Sequence, residues 1–232
     1  MFKRLMSMLF LILAACSPSS HVQSHKDYVL NADTKHSLEQ WKGLILAGSQ
    51  WSEKEQLVAV NDFINRIDYV MDIKQWHQAD YWASPLETII KKAGDCEDLA
   101  IAKYFTLVAM GMDESKLRLT YAKTADMRES HIVLSYSENP NAESLVLDNE
   151  QENITVISER QDLIPLYSFN EKGLWLEKTG TQSEYVASSS RLDLWRNLTQ
   201  KMDVEAVNMT RMACLYQYSD LNNASAEAYC PS

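Results

Sequence analysis

The sequence predicts an α+β fold in which N-terminal helices, one of them carrying a candidate nucleophile, pack on an antiparallel sheet. Three observations lead there. Apolar residues recur at helical spacing through the first half of the chain, and at strand spacing through the second. A lone cysteine, Cys96, stands near the junction, directly after a glycine and at the start of an apolar run. Helices followed by consecutive strands on short turns give α+β rather than alternating βα units.

The first residues belong to targeting rather than to the fold. Lys3 and Arg4 precede an apolar run from Leu5 to Leu13, too short to span a bilayer as a helix. It ends in Leu13-Ala14-Ala15-Cys16, the pattern of a lipobox in which Cys16 is lipidated and becomes the first residue. An ordinary secretory signal with an incidental cysteine is the alternative. Ser17 after the cysteine directs such a lipoprotein to the outer membrane. Residues 1–15 are thus expected to be a signal peptide, 16–26 a flexible tether and 27–188 the folded domain; 189–232 form a C-terminal helix and loop.

Within the domain, Leu38, Trp41, Leu44 and Ile45 share one helical face that ends near Gly48. Ser52 with Glu55 marks a capping box, followed by a Leu57, Val60, Ile64 and Ile67 stripe. Ser84, Pro85 and Glu87 repeat the signature, opening a short helix expected to stop at Gly94. The cysteine helix follows at once and runs to about Gly111. Strands are expected where Leu117, Leu119 and Tyr121 alternate and over 130–136, 144–148 and 154–157. Tyr167–Phe169 and Leu174–Leu176 suggest a further hairpin, and residues 189–202 a last helix.

Charge and cysteine content narrow the functions. The net charge is −10, or −12 once Lys3 and Arg4 leave with the signal peptide. An acidic chain without basic clusters is not built to bind nucleic acid. Of the cysteines besides Cys16, Cys214 and Cys230 form the natural pair in an oxidising compartment, closing a short loop. Cys96 is then left as a free thiol, unless all are buried and reduced.

A cysteine thiol needs help to become a nucleophile, and a helix N-terminus with its unpaired N–H groups supplies some of it. His131, inside a strand-like run, can be aimed as a base, and Asp148, interrupting another apolar strand, can hold its second ring nitrogen. Cys, His and Asp in this order, on a helix start and two strands, is the layout of a papain- or transglutaminase-type nucleophile. Asp95, Glu97 and Asp98 crowd the thiol, and their charge opposes thiolate formation. Either they simply complement the helix dipole, or they bind a cation, for which these hard oxygen ligands suit calcium. Trp82, ahead of the capped helix, could turn its indole N–H to an oxyanion or line a pocket, or be a core tryptophan.

Several segments resemble the bacterial transglutaminase-like cysteine proteases of the LapG type. They are Asp80-Tyr81-Trp82-Ala83-Ser84-Pro85-Leu86-Glu87, Gly94-Asp95-Cys96-Glu97-Asp98 with Ala100 to Phe105, His131 to Leu134, Leu145 to Asn149, Tyr167 to Asn170 and Gly173 to Leu176. The resemblance spans roughly residues 50–178 and implies a papain/transglutaminase-like fold. It implies Cys96 as nucleophile, His131 as general base then acid, Asp148 as orienter, and Ca²⁺ held by Asp95, Glu97 and Asp98. It further implies a periplasmic enzyme that cuts a large repeat-rich adhesin near its N-terminus, and that an inner-membrane receptor sensing cyclic di-GMP sequesters. A lipid anchor departs from the family, whose members are described as soluble in the periplasm. The tail with Cys214 and Cys230 has no counterpart in the resemblance.

Overall fold

The computed structural model describes residues 31–178 and 183–217, with side chains to residue 207. Cys16, Cys230 and the side chain of Cys214 lie outside the described residues. Helix α1 spans Ala32–Gly48, capped by the Asn31 side chain, which accepts from Thr34 N at 2.8 Å. Helix α2, Glu53–Ile64, opens on the capping box of Ser52 and Glu55. Leu38, Trp41, Ile45, Leu57, Val60 and Ile64 are buried and form the inner faces, while Ile67, expected on the second stripe, lies beyond the end of α2 and is half-buried.

Between α2 and the cysteine the chain departs from expectation. A two-residue strand β1 (Asp68–Tyr69) and a single-turn helix α3 (Asp72–Gln75) precede α4, Pro85–Lys91. Helix α4 stops at Lys91 rather than Gly94 because Lys92 turns left-handed, φ 53°. Ala93–Gly94 then become strand β2, parallel to β1, with Tyr69 opposite Gly94. This pairing fixes the backbone immediately before Cys96. Helix α5, Cys96–Ala109, is buried on nearly every side. An apolar surface all round suits a helix enclosed by other elements. Trp41 ties α1 to it, its indole N–H donating to Thr106 Oγ1 at 2.9 Å.

The sheet under α5 contains β3 (Leu117–Thr124), β4 (Ser130–Tyr136), β5 (Leu145–Leu147), β6 (Thr155–Val156), β7 (Leu163–Asn170), β8 (Gly173–Glu177) and β9 (Ser183–Ala187). Its order is β6-β5-β4-β3-β7-β8-β9, each pair antiparallel. Leu117, Leu119, Leu134, Leu147 and Phe169 pack toward the helices, and Ala122, Val133, Val146 and Leu163 form a smaller core. Helix α6, Asp193–Gln217, extends well past residue 202. No Gly or Pro interrupts residues 203–217, so nothing in the local sequence stops it. Its Trp195 stacks on Phe105 of α5, centroids 5.7 Å apart.

Candidate active site

Cys96 is the first residue of α5, where helix N–H groups lack intrahelical partners. Asp95 occupies the cap position without making a side-chain cap. Gly94 is required by packing: a Cβ there would sit 2.7 Å from Asp98 Cβ. The thiol is almost buried and donates to Glu97 Oε2 at 3.0 Å. Burial pushes the thiol pKa up, and the charge and hydrogen bond of Glu97 push it further. The Ile132 backbone N–H beside the sulfur opposes this, and Asp95 adds to the rise. With its carboxylates uncompensated, the site therefore holds a protonated thiol despite the helix dipole.

The contact with Ile132 places the sulfur beside β4, at the residue that follows His131 in the strand. His131 is buried, and its Nε2 lies 2.7 Å from Asp148 Oδ1. That bond commits Nε2 to the carboxylate and leaves Nδ1 for acid–base work. Burial would lower the imidazole pKa, but the hydrogen bond and charge of Asp148 outweigh it and raise it. Asp148 directly follows β5, accepts from Glu150 N at 3.0 Å and forms an ion pair through Oδ2 with Arg160 Nη2 at 2.7 Å. Burial opposes the ionised form of Asp148, yet the bond to His131, with the partners around it, holds its pKa far below the ordinary carboxylate range. Arg160 is buried as well and braced by Asp162, Nε–Oδ1 2.9 Å and Nη2–Oδ2 2.6 Å. Asn65, capping the end of α2, donates to the Asp148 carbonyl at 2.8 Å. Lys103, buried on α5, feels the Asp148 charge, but burial brings its ammonium down to about 7.

Arg160 and Asn65 were not legible in the sequence. No motif singles out either residue, and only the fold brings them to Asp148.

On the other side of the thiol, carboxylate oxygens of Asp72, Asp95 and Glu97 all lie within 4.8 Å of one another. Asp72 opens α3, and its Oδ2 accepts from Tyr81 N. Asp98 is fully buried, with Oδ1 accepting from Ala83 N at 2.6 Å. The sequence placed Asp98 with Asp95 and Glu97; the structure brings Asp72 to them and gives one Asp98 oxygen to a backbone donor. Asp72 Oδ1, Asp95 Oδ1 and Asp98 Oδ2 are buried without a hydrogen-bond donor. Burial is the largest cause of their raised pKa values, to about 6 for Asp72, about 9 for Asp95 and about 8 for Asp98. Mutual repulsion adds to it, Glu97 acting on all three. Crowded carboxylates with orphaned buried oxygens fit a hard divalent cation.

Trp82 stacks on Phe169, centroids 5.6 Å apart and planes at 16°, within the main core. Its side chain hydrogen-bonds to Asp80, which engages the one donor an indole possesses. The structure thus brings Trp82 to Asp80 and Phe169.

The sequence profile of the bacterial transglutaminase-like cysteine proteinases matches residues 15–182. The chain belongs to this family. Its segment from β1 to β8, with Cys96, His131 and Asp148, lies inside the match. Among solved structures, the EGTA-treated form of Legionella pneumophila LapG is similar at 37% identity and a TM-score of 0.69, covering 84% of this chain and 97% of that one. The calcium-bound form of Legionella pneumophila LapG matches at 42% identity and 0.66, over 74% of this chain and 92% of that one. No match is found among the curated proteins. The mixed helical and antiparallel architecture is thus a transglutaminase-like fold, and the proteinase family accounts for a free thiol at a helix start.

Proposed function

We propose that this proteinase is a calcium-dependent cysteine endopeptidase using Cys96, His131 and Asp148. The observation that carries this reading is the placement of a helix-start thiol beside the Ile132 backbone, next to a histidine paired with a buried carboxylate. His131 Nδ1 takes the thiol proton, and the thiolate attacks a peptide carbonyl. Unpaired N–H groups at the start of α5 face the charge that develops on the carbonyl oxygen. His131 passes its proton to the leaving amine, and water hydrolyses the thioester with the same nitrogen as base. Asp148 keeps the ring oriented and stabilises the imidazolium.

Asp72, Asp95 and Glu97, with Asp98 behind them, would hold calcium. The ion, when bound, neutralises the carboxylates that oppose the thiolate. The calcium-bound and EGTA-treated forms of LapG support this choice of metal. By the same likeness the substrate is the N-terminal region of a large repeat-rich surface adhesin, whose release promotes biofilm dispersal. A cyclic-di-GMP-sensing inner-membrane receptor would sequester the protease, and lipidated Cys16 would anchor it to the outer membrane from the periplasm.

The test is digestion of purified N-terminal fragments of large surface adhesins, with products read by mass spectrometry. New chain ends require hydrolysis. Isopeptide masses would instead show a transglutaminase-type acyl transferase or amidase, acting on periplasmic proteins or peptidoglycan. No product and no labelling by an activity-based thiol probe would leave a non-catalytic binding module. Cys96→Ala and His131→Ala should abolish cleavage, and Asp148→Asn should leave a residue about 10⁴-fold below wild type.

A further inference from the structure

Helix α6 lies beyond the profile match, which ends at residue 182, yet it reaches the acidic site. Lys201 is three-quarters buried, its side chain 25% exposed. Its ammonium donates to the Trp82 carbonyl at 2.7 Å, to Tyr81 Oη at 3.0 Å and to Glu87 Oε2 at 2.5 Å, and it sits 4.2 Å from the Tyr81 ring centroid. One turn further, Glu205 Oε1 accepts from Ser84 Oγ at 2.9 Å.

The segment so gripped, residues 81–84, has no helix or strand pairing of its own. Its N–H groups point to the site: Tyr81 N donates to Asp72 and Ala83 N to Asp98. The peptide groups of 81–83 thus run from buried carboxylates at their N–H ends to a cation at the Trp82 carbonyl. An irregular segment relies on such tertiary partners for its order. The Lys201 charge also acts on Asp98, favouring the ionised carboxylate.

We propose that Lys201 is a positioning residue for the acidic site, holding residues 81–84 so that their backbone donors fix Asp72 and Asp98 for a divalent cation. The proposal rests on reading that cluster as the calcium site. Side chains that orient metal ligands from outside the coordination sphere typically change affinity by about 10–100-fold.

The experiment is titration calorimetry of calcium into the full chain for wild type, Lys201→Met and Lys201→Arg. Amide hydrogen exchange at Tyr81 and Ala83 is followed in EGTA alongside. Lys201→Met should bind calcium about 10–100-fold more weakly and exchange faster at Tyr81 and Ala83, with core amides of α5 unaltered. Lys201→Arg should recover most of both, since it keeps the cation. Wild-type affinity in Lys201→Met would overturn the proposal. So would equal losses in both variants with faster exchange throughout α5, which would make Lys201 a general strut. Wild-type protein that binds no calcium would overturn the metal reading itself; unaltered exchange at Tyr81 and Ala83 in Lys201→Met would separately overturn the grip on the segment.

Discussion

Asp148 carries more of the site than any other single residue, because its oxygens serve His131, the Glu150 backbone and Arg160 together. His131 does most to keep this buried carboxylate charged, and Arg160 is the permanent cation that supports it. Removing one member of a buried ion pair leaves the other uncompensated and costs about 3–5 kcal/mol. Arg160→Met should therefore lower stability on that order and cut kcat/KM while Cys96 stays in place. The sign with pH is definite. Asp148 has a depressed pKa in the fold, so its contribution is present above the ordinary carboxylate pKa and is lost as pH falls through the folded value. In Arg160→Met the folded value rises, and the acid limb of kcat/KM should move to higher pH. An unmoved limb would show that Arg160 does not act through Asp148. Cys96, His131 and Asp148 could be read from the sequence because each interrupts an apolar or glycine-led pattern. Asp72 and Arg160 could not, since no motif or spacing marks either one and each gains meaning only from what the fold sets beside it.

At the scale of elements, the capping boxes at Ser52 and Ser84 marked the starts of α2 and α4 correctly. Strand β2 was hidden because a glycine after a helix reads as a stop, whereas Gly94 serves a different need. It pairs with Tyr69 and leaves space for Asp98. Gly94→Ala would put a methyl group against the Asp98 Cβ, which cannot swing away, as its carboxylate is anchored on Ala83 N. Overpacking of this kind costs about 1–3 kcal/mol. The displaced Asp98 should also weaken calcium binding by calorimetry, and a Gly94→Ala protein of unchanged calcium affinity would show that the contact relaxes harmlessly. Strand β9 escaped the sequence reading because it is a short strand, mostly exposed, with no alternating apolar face to mark it.

For the whole molecule, the succession of helices and strands made the α+β class legible. The sheet order did not follow from it, because β7 returns to the far side of β3 and makes β3 central. Charge is also a property of the whole chain, and its consequence is sharpest without metal. In EGTA, Asp72, Asp95 and Asp98 retain protons in the fold up to about 6, about 9 and about 8. An unfolded chain releases them near an aspartate pKa of about 3.9. The native state then binds more protons than the unfolded one between these limits, so stability must fall as pH rises through that window. Each retained proton contributes a slope of up to about 1.4 kcal/mol per pH unit. Melting curves from pH 5 to 9 in EGTA should show this decline, and saturating calcium should remove it. A flat profile in EGTA would mean that the cluster is already compensated.

The central claim is that Cys96 is a nucleophile restrained by its own acidic neighbours and released when calcium balances them. Iodoacetamide alkylation of Cys96 at neutral pH, quantified by peptide mapping in EGTA and in calcium, reads this directly, since each unit by which the thiol pKa falls raises the thiolate fraction about tenfold. Alkylation should be slow in EGTA and at least about tenfold faster in calcium. Equal rates in EGTA and calcium would contradict it.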